Sequence, residues 1–192
     1  EDNPALGYRG IRICLTEVDI FKTQLRAICR ASVYGKVAMM FPMITSIHEV
    51  KRIKDILKEV REELEQEGVA YDKTMQIGIM IETPAAVMVS RELAKEVDFF
   101  SIGTNDLTQY TLAVDRQNPK LHTFYDAHHP AILAMIQMVA DHAHAEGKGV
   151  GICGELAADL DMTETFLKMG IDELSVAPAM VLPLRKKIQE IE

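Results

Sequence analysis

The chain has 192 residues, with 21 Lys and Arg against 29 Asp and Glu for a formal charge of −8; this is the length of one domain. A 48% hydrophobic content with only 7 Pro and 11 Gly excludes a disordered or fibrous chain, and the acidic balance argues against a dominant nucleic-acid or anionic-membrane surface. The three cysteines, Cys14, Cys29 and Cys153, lack C-x-x-C spacing and give no disulfide framework, which fits a reducing cytoplasm, and the longest apolar run, Val37 to Ile44, is too short to span a bilayer.

The chain opens on Glu1-Asp2-Asn3-Pro4, a loop-like segment with neither Met nor a basic, apolar leader, and reads as a piece of something longer. A helix over about Asp19–Tyr34 is expected before a strand at Val37–Phe41. Ser46-Ile47-His48-Glu49 has the capping-box pattern. Val50, Ile53, Leu57, Val60 and Leu64 then recur at helical spacing with Lys, Arg and Glu on the other face, which predicts a long amphipathic helix. Further strands are expected at Gln76–Glu82, Asp98–Ile102, Gly149–Cys153 and Glu173–Val176. Helices are expected at about Pro84–Glu96, Pro130–Glu146, Asp161–Met169 and Val181–Ile191. The strands are apolar on both faces, as in buried parallel sheets, and Gly35, Gly68, Gly147 and Gly170 stand just past helices, where a left-handed cap is wanted.

This repetition predicts one α/β domain over 1–192, either a doubly wound sheet or a β/α barrel. Polar groups separate the two. Glu82, then Asn105 and Asp106, then Cys153 with Glu155, stand at the carboxyl ends of successive strands. A doubly wound sheet gathers ligands at one switch point, whereas a barrel collects them from many strands on one face. A TIM-type barrel is therefore expected. Eight strands in about 250 residues make a whole barrel, so five predicted strands imply a fragment lacking about the first three β/α units.

Each candidate site residue has a structural alternative at this stage. Glu82, in Met80-Ile81-Glu82-Thr83-Pro84, could be an acid favoured by a helix dipole, and Asp106, in Gly103-Thr104-Asn105-Asp106-Leu107, could be a helix N-cap. Two carboxylates at adjacent strand ends could instead converge on a hard divalent cation, Mg²⁺ or Mn²⁺, leaving positions for substrate phosphate. Arg9 and Arg116 could be solvated loop residues, or could pair bidentately with a phosphate or carboxylate beside that metal. Cys153 could be a small buried strand residue. At a strand end flanked by Gly154 it could also meet substrate, and since thiols ordinarily titrate at about 8.5, as a proton donor as well as a nucleophile. His128 and His129 read as loop residues and His142 and His144 as surface residues of a helix, against a metal or phosphoryl-carrying role.

Asn3-Pro4-Ala5-Leu6-Gly7-Tyr8-Arg9, Phe41-Pro42-Met43-Ile44, Met80-Ile81-Glu82-Thr83-Pro84, Asp98 through Arg116 and Gly151-Ile152-Cys153-Gly154-Glu155 together resemble the phosphoenolpyruvate-binding domain of the enzyme I family of the bacterial sugar phosphotransferase system. Pyruvate phosphate dikinase and phosphoenolpyruvate synthase have related barrels with a similar Asn-Asp-Leu-Thr-Gln core, but Tyr110 to Arg116 is similar to the enzyme I form. The resemblance implies a barrel in which Glu82 and Asp106 ligate Mg²⁺, Asn105, Arg116 and Arg9 hold phosphoenolpyruvate, and Cys153 protonates the methylene carbon. It implies phosphoryl transfer to a histidine of a separate domain of the same enzyme, then to a small histidine-containing carrier protein. The family's barrel begins before Asn3, two further substrate arginines and the phosphohistidine domain lie outside this segment, and Ala157-Ala158-Asp159 stands where the family commonly has Ala-Gly-Asp. A catalytic piece and a piece that merely folds and self-associates, as a homodimer through open sheet edges, are both expected outcomes for such a segment.

Overall fold

The computed structural model describes residues 1–191. A 3₁₀ turn, Pro4–Leu6, and helix α1 (Ile11–Thr16) lead into α2 (Val18–Ala31), which buries Phe21, Leu25 and Cys29 at four-residue spacing. Strand β1 (Ala38–Phe41) precedes α3 (Ile47–Gln66). Ser46 caps α3 by accepting from the Glu49 N–H, and the Glu49 carboxylate accepts the Ser46 N–H at 2.9 Å, so two otherwise orphaned donors are satisfied reciprocally. Then come β2 (Gln76–Ile81), α4 (Pro84–Met88), α5 (Ser90–Ala94), β3 (Phe99–Gly103), α6 (Thr104–Leu112), α7 (Pro130–Ala145), β4 (Gly149–Cys153), α8 (Thr163–Lys168), β5 (Glu173–Leu174) and α9 (Pro178–Gln189).

Several expectations need correction. The helix expected over 84–96 is two, broken where Val89 leaves helical dihedrals at φ −109°, ψ 18°. The strand expected over 173–176 pairs only at Glu173 and Leu174. Gly35 is extended (φ 173°), because α2 tightens into the 3₁₀ turn Ser32–Tyr34 instead of ending in a left-handed cap, whereas Gly68, Gly147 and Gly170 do take positive φ. Helices α1 and α6 were not anticipated, being short and close to polar motif residues.

The five strands form one all-parallel sheet in the order β1-β2-β3-β4-β5. Sequential order without a switch point, given a single crossover hand, places every connecting helix on one face. That is the wall of a barrel, not a doubly wound sheet. Among the described residues β1 and β5 are edges, and the wall is not closed.

Registration explains where the core sits. The rows Phe41–Ile79–Phe100–Val150 and Ile81–Ile102–Ile152–Leu174 face the helices, and Ile79, Ile81, Ile102 and Ile152 are fully buried there. The alternate rows, Met40–Gly78–Phe99–Gly149 and Met80–Ser101–Gly151–Glu173, lie on the opposite face, where Gly78 alone is buried and the others are half-buried or exposed. The expectation of strands buried on both faces therefore holds for one face only. The uncovered face corresponds to a barrel interior. Its carboxyl end carries the polar residues singled out from the sequence.

Candidate active site

Strand pleating brings Glu82 and Cys153 to the same end of the sheet. Gly103 pairs with Cys153, and Ile81 with Ile102, so Glu82, Gly103 and Cys153 form a row across the carboxyl ends of β2, β3 and β4. Glu82 is 4% exposed. Its Oε1 accepts the Met43 N–H at 2.6 Å, from the loop after β1, where Met43 adopts φ 60°. A left-handed methionine is uncommon, and here it turns a backbone donor onto the carboxylate. A Cβ on Gly103 would lie 2.9 Å from Glu82 Cβ and Oε2 and from Met80 Sδ, so only glycine leaves this carboxylate room. Glu82 is not a cap: Thr83 is the N-cap of α4, accepting from the Ala86 N–H and donating to the Ile44 carbonyl.

Asp106 is not a cap either. Helix α6 starts one residue after β3, with Gly103 at its N-cap, which places Asp106 in the first turn. Its carboxylate lies 3.7 Å from Arg9 Nη1 and 3.8 Å from Arg116 Nη2. Burial raises the pKa of Glu82 above the usual carboxylate range; the Met43 N–H opposes this, Asp106 adds to it, and Arg9 offsets part. Two like charges and two guanidinium groups thus meet at the mouth of β2 and β3. Two hard carboxylates, one desolvated, make a donor set that fits a hard divalent cation. Among the described residues no third His, Cys, Asp or Glu joins them into a larger cluster, so remaining coordination positions would fall to substrate oxygen and water.

Arg116 returns to the site because Ala113 takes φ 53° at the end of α6 and the Val114 N–H bonds back to the Gln109 carbonyl. Gln109, 6% exposed, accepts the Arg116 N–H at 3.0 Å through Oε1 and donates from Nε2 to Asp106 Oδ1 at 3.3 Å. Tyr110 accepts from Arg9 Nη1 at 3.2 Å and donates to the Ala5 carbonyl; burial raises its pKa. Asn105 Oδ1 accepts the Glu155 N–H at 3.1 Å, which leaves its Nδ2 for a ligand. Thr104 Oγ1 donates to the Cys153 carbonyl at 3.0 Å. The Cys153 thiol, half-buried, donates to the Ile102 carbonyl at 3.5 Å beside the row of site residues. A cavity of about 490 Å³, lined by Arg116, Gln117, His122, Tyr125 and Glu155, borders the cluster. Tyr125 donates from its hydroxyl to the Asn105 carbonyl at 3.3 Å.

All six residues singled out from the sequence therefore lie on this one end of the sheet. Gln109 and Tyr110 were missed, although they stand inside the quoted motif; a polar residue three positions after an acid on a helix was the available signal. Tyr125 left no signal. The four histidines considered from the sequence are engaged elsewhere: His128 Nε2 lies 2.6 Å from Asp159, His142 Nδ1 2.8 Å from Ser90 Oγ and His144 Nε2 3.0 Å from Asp172, while His129 Nδ1 accepts the Ala131 N–H at the start of α7.

Comparison with known proteins shows the family to which the chain belongs. The family described as "PEP-utilising enzyme, PEP-binding domain" matches residues 1–192. The chain is 50% identical over 191 residues to the phosphoenolpyruvate-protein phosphotransferase of Haemophilus influenzae, covering 100% of this chain and 33% of that protein. It is 48% identical over 191 residues to that of Bacillus subtilis, covering 100% of this chain and 34% of the relative. The chain thus spans about a third of the length of these relatives. Solved structures share the fold alone: a citrate lyase from Burkholderia xenovorans has TM-score 0.65 and 19% identity over 86% of this chain and 53% of its own. A malate synthase from Haloferax volcanii has TM-score 0.62 and 14% identity over 87% of this chain and 50% of its own. With its fold, its carboxylate and arginine cluster and a match along its whole length, the chain belongs to the family of phosphoenolpyruvate-binding domains of PEP-utilising enzymes.

Proposed function

We propose that the chain is the phosphoenolpyruvate-binding catalytic part of a phosphoenolpyruvate-protein phosphotransferase, acting in sugar uptake in the cytoplasm. The observation that carries the reading is the meeting of Glu82 and Asp106 with Arg9, Arg116, Asn105 and Cys153 at one end of the sheet. Glu82 and Asp106 would hold Mg²⁺, with Mn²⁺ able to replace it. When bound, the cation supplies positive charge beside the transferring phosphate and the developing enolate. Arg116 and Arg9 each retain free N–H groups beyond their contact with Asp106, and these pair with phosphate and carboxylate oxygens of the substrate. Asn105 Nδ2 donates to the same anion.

Positioning and charge neutralisation are most of what phosphoryl transfer requires. The P–O bond to the enol oxygen breaks as a P–N bond forms to the histidine of a separate phosphohistidine domain. The bonding pair stays on the enol oxygen. The enolate then takes the Cys153 proton at its methylene carbon, giving pyruvate, and the thiolate recovers a proton from solvent. From the enzyme histidine the phosphoryl group passes to a histidine-containing carrier protein. The identity of about 50% with phosphotransferases supports this reading over the dikinase and synthase alternatives.

The test is Mn²⁺ binding to the full-length protein. Glu82→Ala and Asp106→Ala should each weaken it at least tenfold, about 1.4 kcal/mol. If both variants bind like the parent, the carboxylates are not the metal site.

A further inference from the structure

We propose that Gln109 and Tyr110, consecutive residues of α6, are positioning residues, each holding one of the two arginines that flank Asp106. The inference rests on the site reading above. Both arginines reach the site from segments without regular structure: Arg9 precedes α1, and Arg116 follows the turn at Ala113. A guanidinium on such a segment recognises an oxyanion well only if its backbone and direction are fixed before binding. Gln109 fixes Arg116 through the backbone, accepting its N–H at 3.0 Å while the same amide donates to Asp106 at 3.3 Å. Tyr110 fixes Arg9 through the side chain, accepting from Nη1 at 3.2 Å and donating to the carbonyl of Ala5 in the same N-terminal segment. Successive positions on a helix point about 100° apart, so one turn can serve two segments that arrive from different sides. Gln109 is nearly fully buried and both ends of its amide are used by site groups. The role predicts that Tyr110 acts through Arg9, and that Gln109 acts through Arg116 and, by its amide contact, through Asp106.

A double-mutant cycle on the full-length protein, read as equilibrium binding of phosphoenolpyruvate and as kcat and KM for pyruvate formation, tests this. Tyr110→Phe should weaken binding about fivefold and appear mainly in KM, yet change affinity by less than twofold in an Arg9→Ala background. Gln109→Met, which keeps the volume, should lose about tenfold, and clearly less beside Arg116→Ala, where only its contact to Asp106 is left to lose. If either residue contributes as much without its arginine as with it, or neither substitution alters binding, the positioning role is overturned. Should Gln109→Met fail to fold, the Tyr110 and Arg9 cycle decides alone. Arg9→Ala and Arg116→Ala serve as controls: parent-like binding in both would overturn the site reading, and the positioning roles with it.

Discussion

At the residue scale, the proposed metal site depends on how closely Glu82 is packed. Gly103 has φ −84°, which alanine adopts freely, so the cost of Gly103→Ala lies in contact alone: its methyl would stand 2.9 Å from the Glu82 carboxylate. The substitution should leave the fold intact and lower Mn²⁺ affinity about tenfold, roughly 1.4 kcal/mol, measurable by titration. Glu82 also makes a pH prediction. Its pKa is raised in the folded state, chiefly by burial, so the folded state holds the proton more tightly than the unfolded chain. The stability this gives is complete below the unfolded value, about 4.3, and is lost as pH rises through the folded value. Without divalent cations, Glu82→Gln should therefore melt above the parent at pH 7, and the gap should close towards pH 4. A parent more stable than Glu82→Gln at pH 7 in chelator would contradict the assigned desolvation.

At the element scale, α3 shows what a sequence makes legible. Its capping box and its apolar spacing are local signals, and both stand in the structure as expected from Ser46-Ile47-His48-Glu49 and from Val50 through Leu64. Ser46→Ala should cost about 1 kcal/mol, seen as a lower denaturant midpoint at unchanged slope. The two carboxylates and Cys153 were legible for a related reason, since unusual polar groups ended or followed apolar strands, whereas Arg9 and Arg116, in loops, stood out only beside that carboxylate pair and through the motif resemblance. Less legible were features set by tertiary contact. Val89 breaks a helix that composition allowed to continue, β5 shortens to a two-residue pairing, and Gly35 extends after a 3₁₀ turn. Gln109 and Tyr110 were hidden because their partners, Arg116 and Arg9, are brought to α6 only by the turn at Ala113 and by the N-terminal segment. The half-open sheet face was concealed by strands whose composition suits burial on both sides.

At the scale of the whole molecule, the five strands and two edges among the described residues leave the face that corresponds to a barrel interior partly uncovered, with Met40 at 40% exposure. Unpaired parallel edges and uncovered apolar surface recruit other chain, so the 192-residue chain should form a homodimer, the commonest closed arrangement. Light scattering at micromolar concentration checks this; a mass that stays monomeric across a dilution series would show that the edges are protected. By itself this segment should also fail to release pyruvate, because the proposed acceptor domain is not part of it. The central claim, that these strand-end residues form a phosphoenolpyruvate site with a cysteine proton donor, is tested most directly by pairing binding with turnover in one variant. Phosphoenolpyruvate affinity in the presence of Mg²⁺ and the rate of pyruvate formation are measured for the full-length protein carrying Cys153→Ala. The variant should keep affinity within about twofold of the parent and form pyruvate at least 100-fold more slowly, the lower end of what general acid catalysis contributes. Pyruvate formation at the parental rate, or phosphorus covalently attached to Cys153 during turnover of the parent, would contradict the claim.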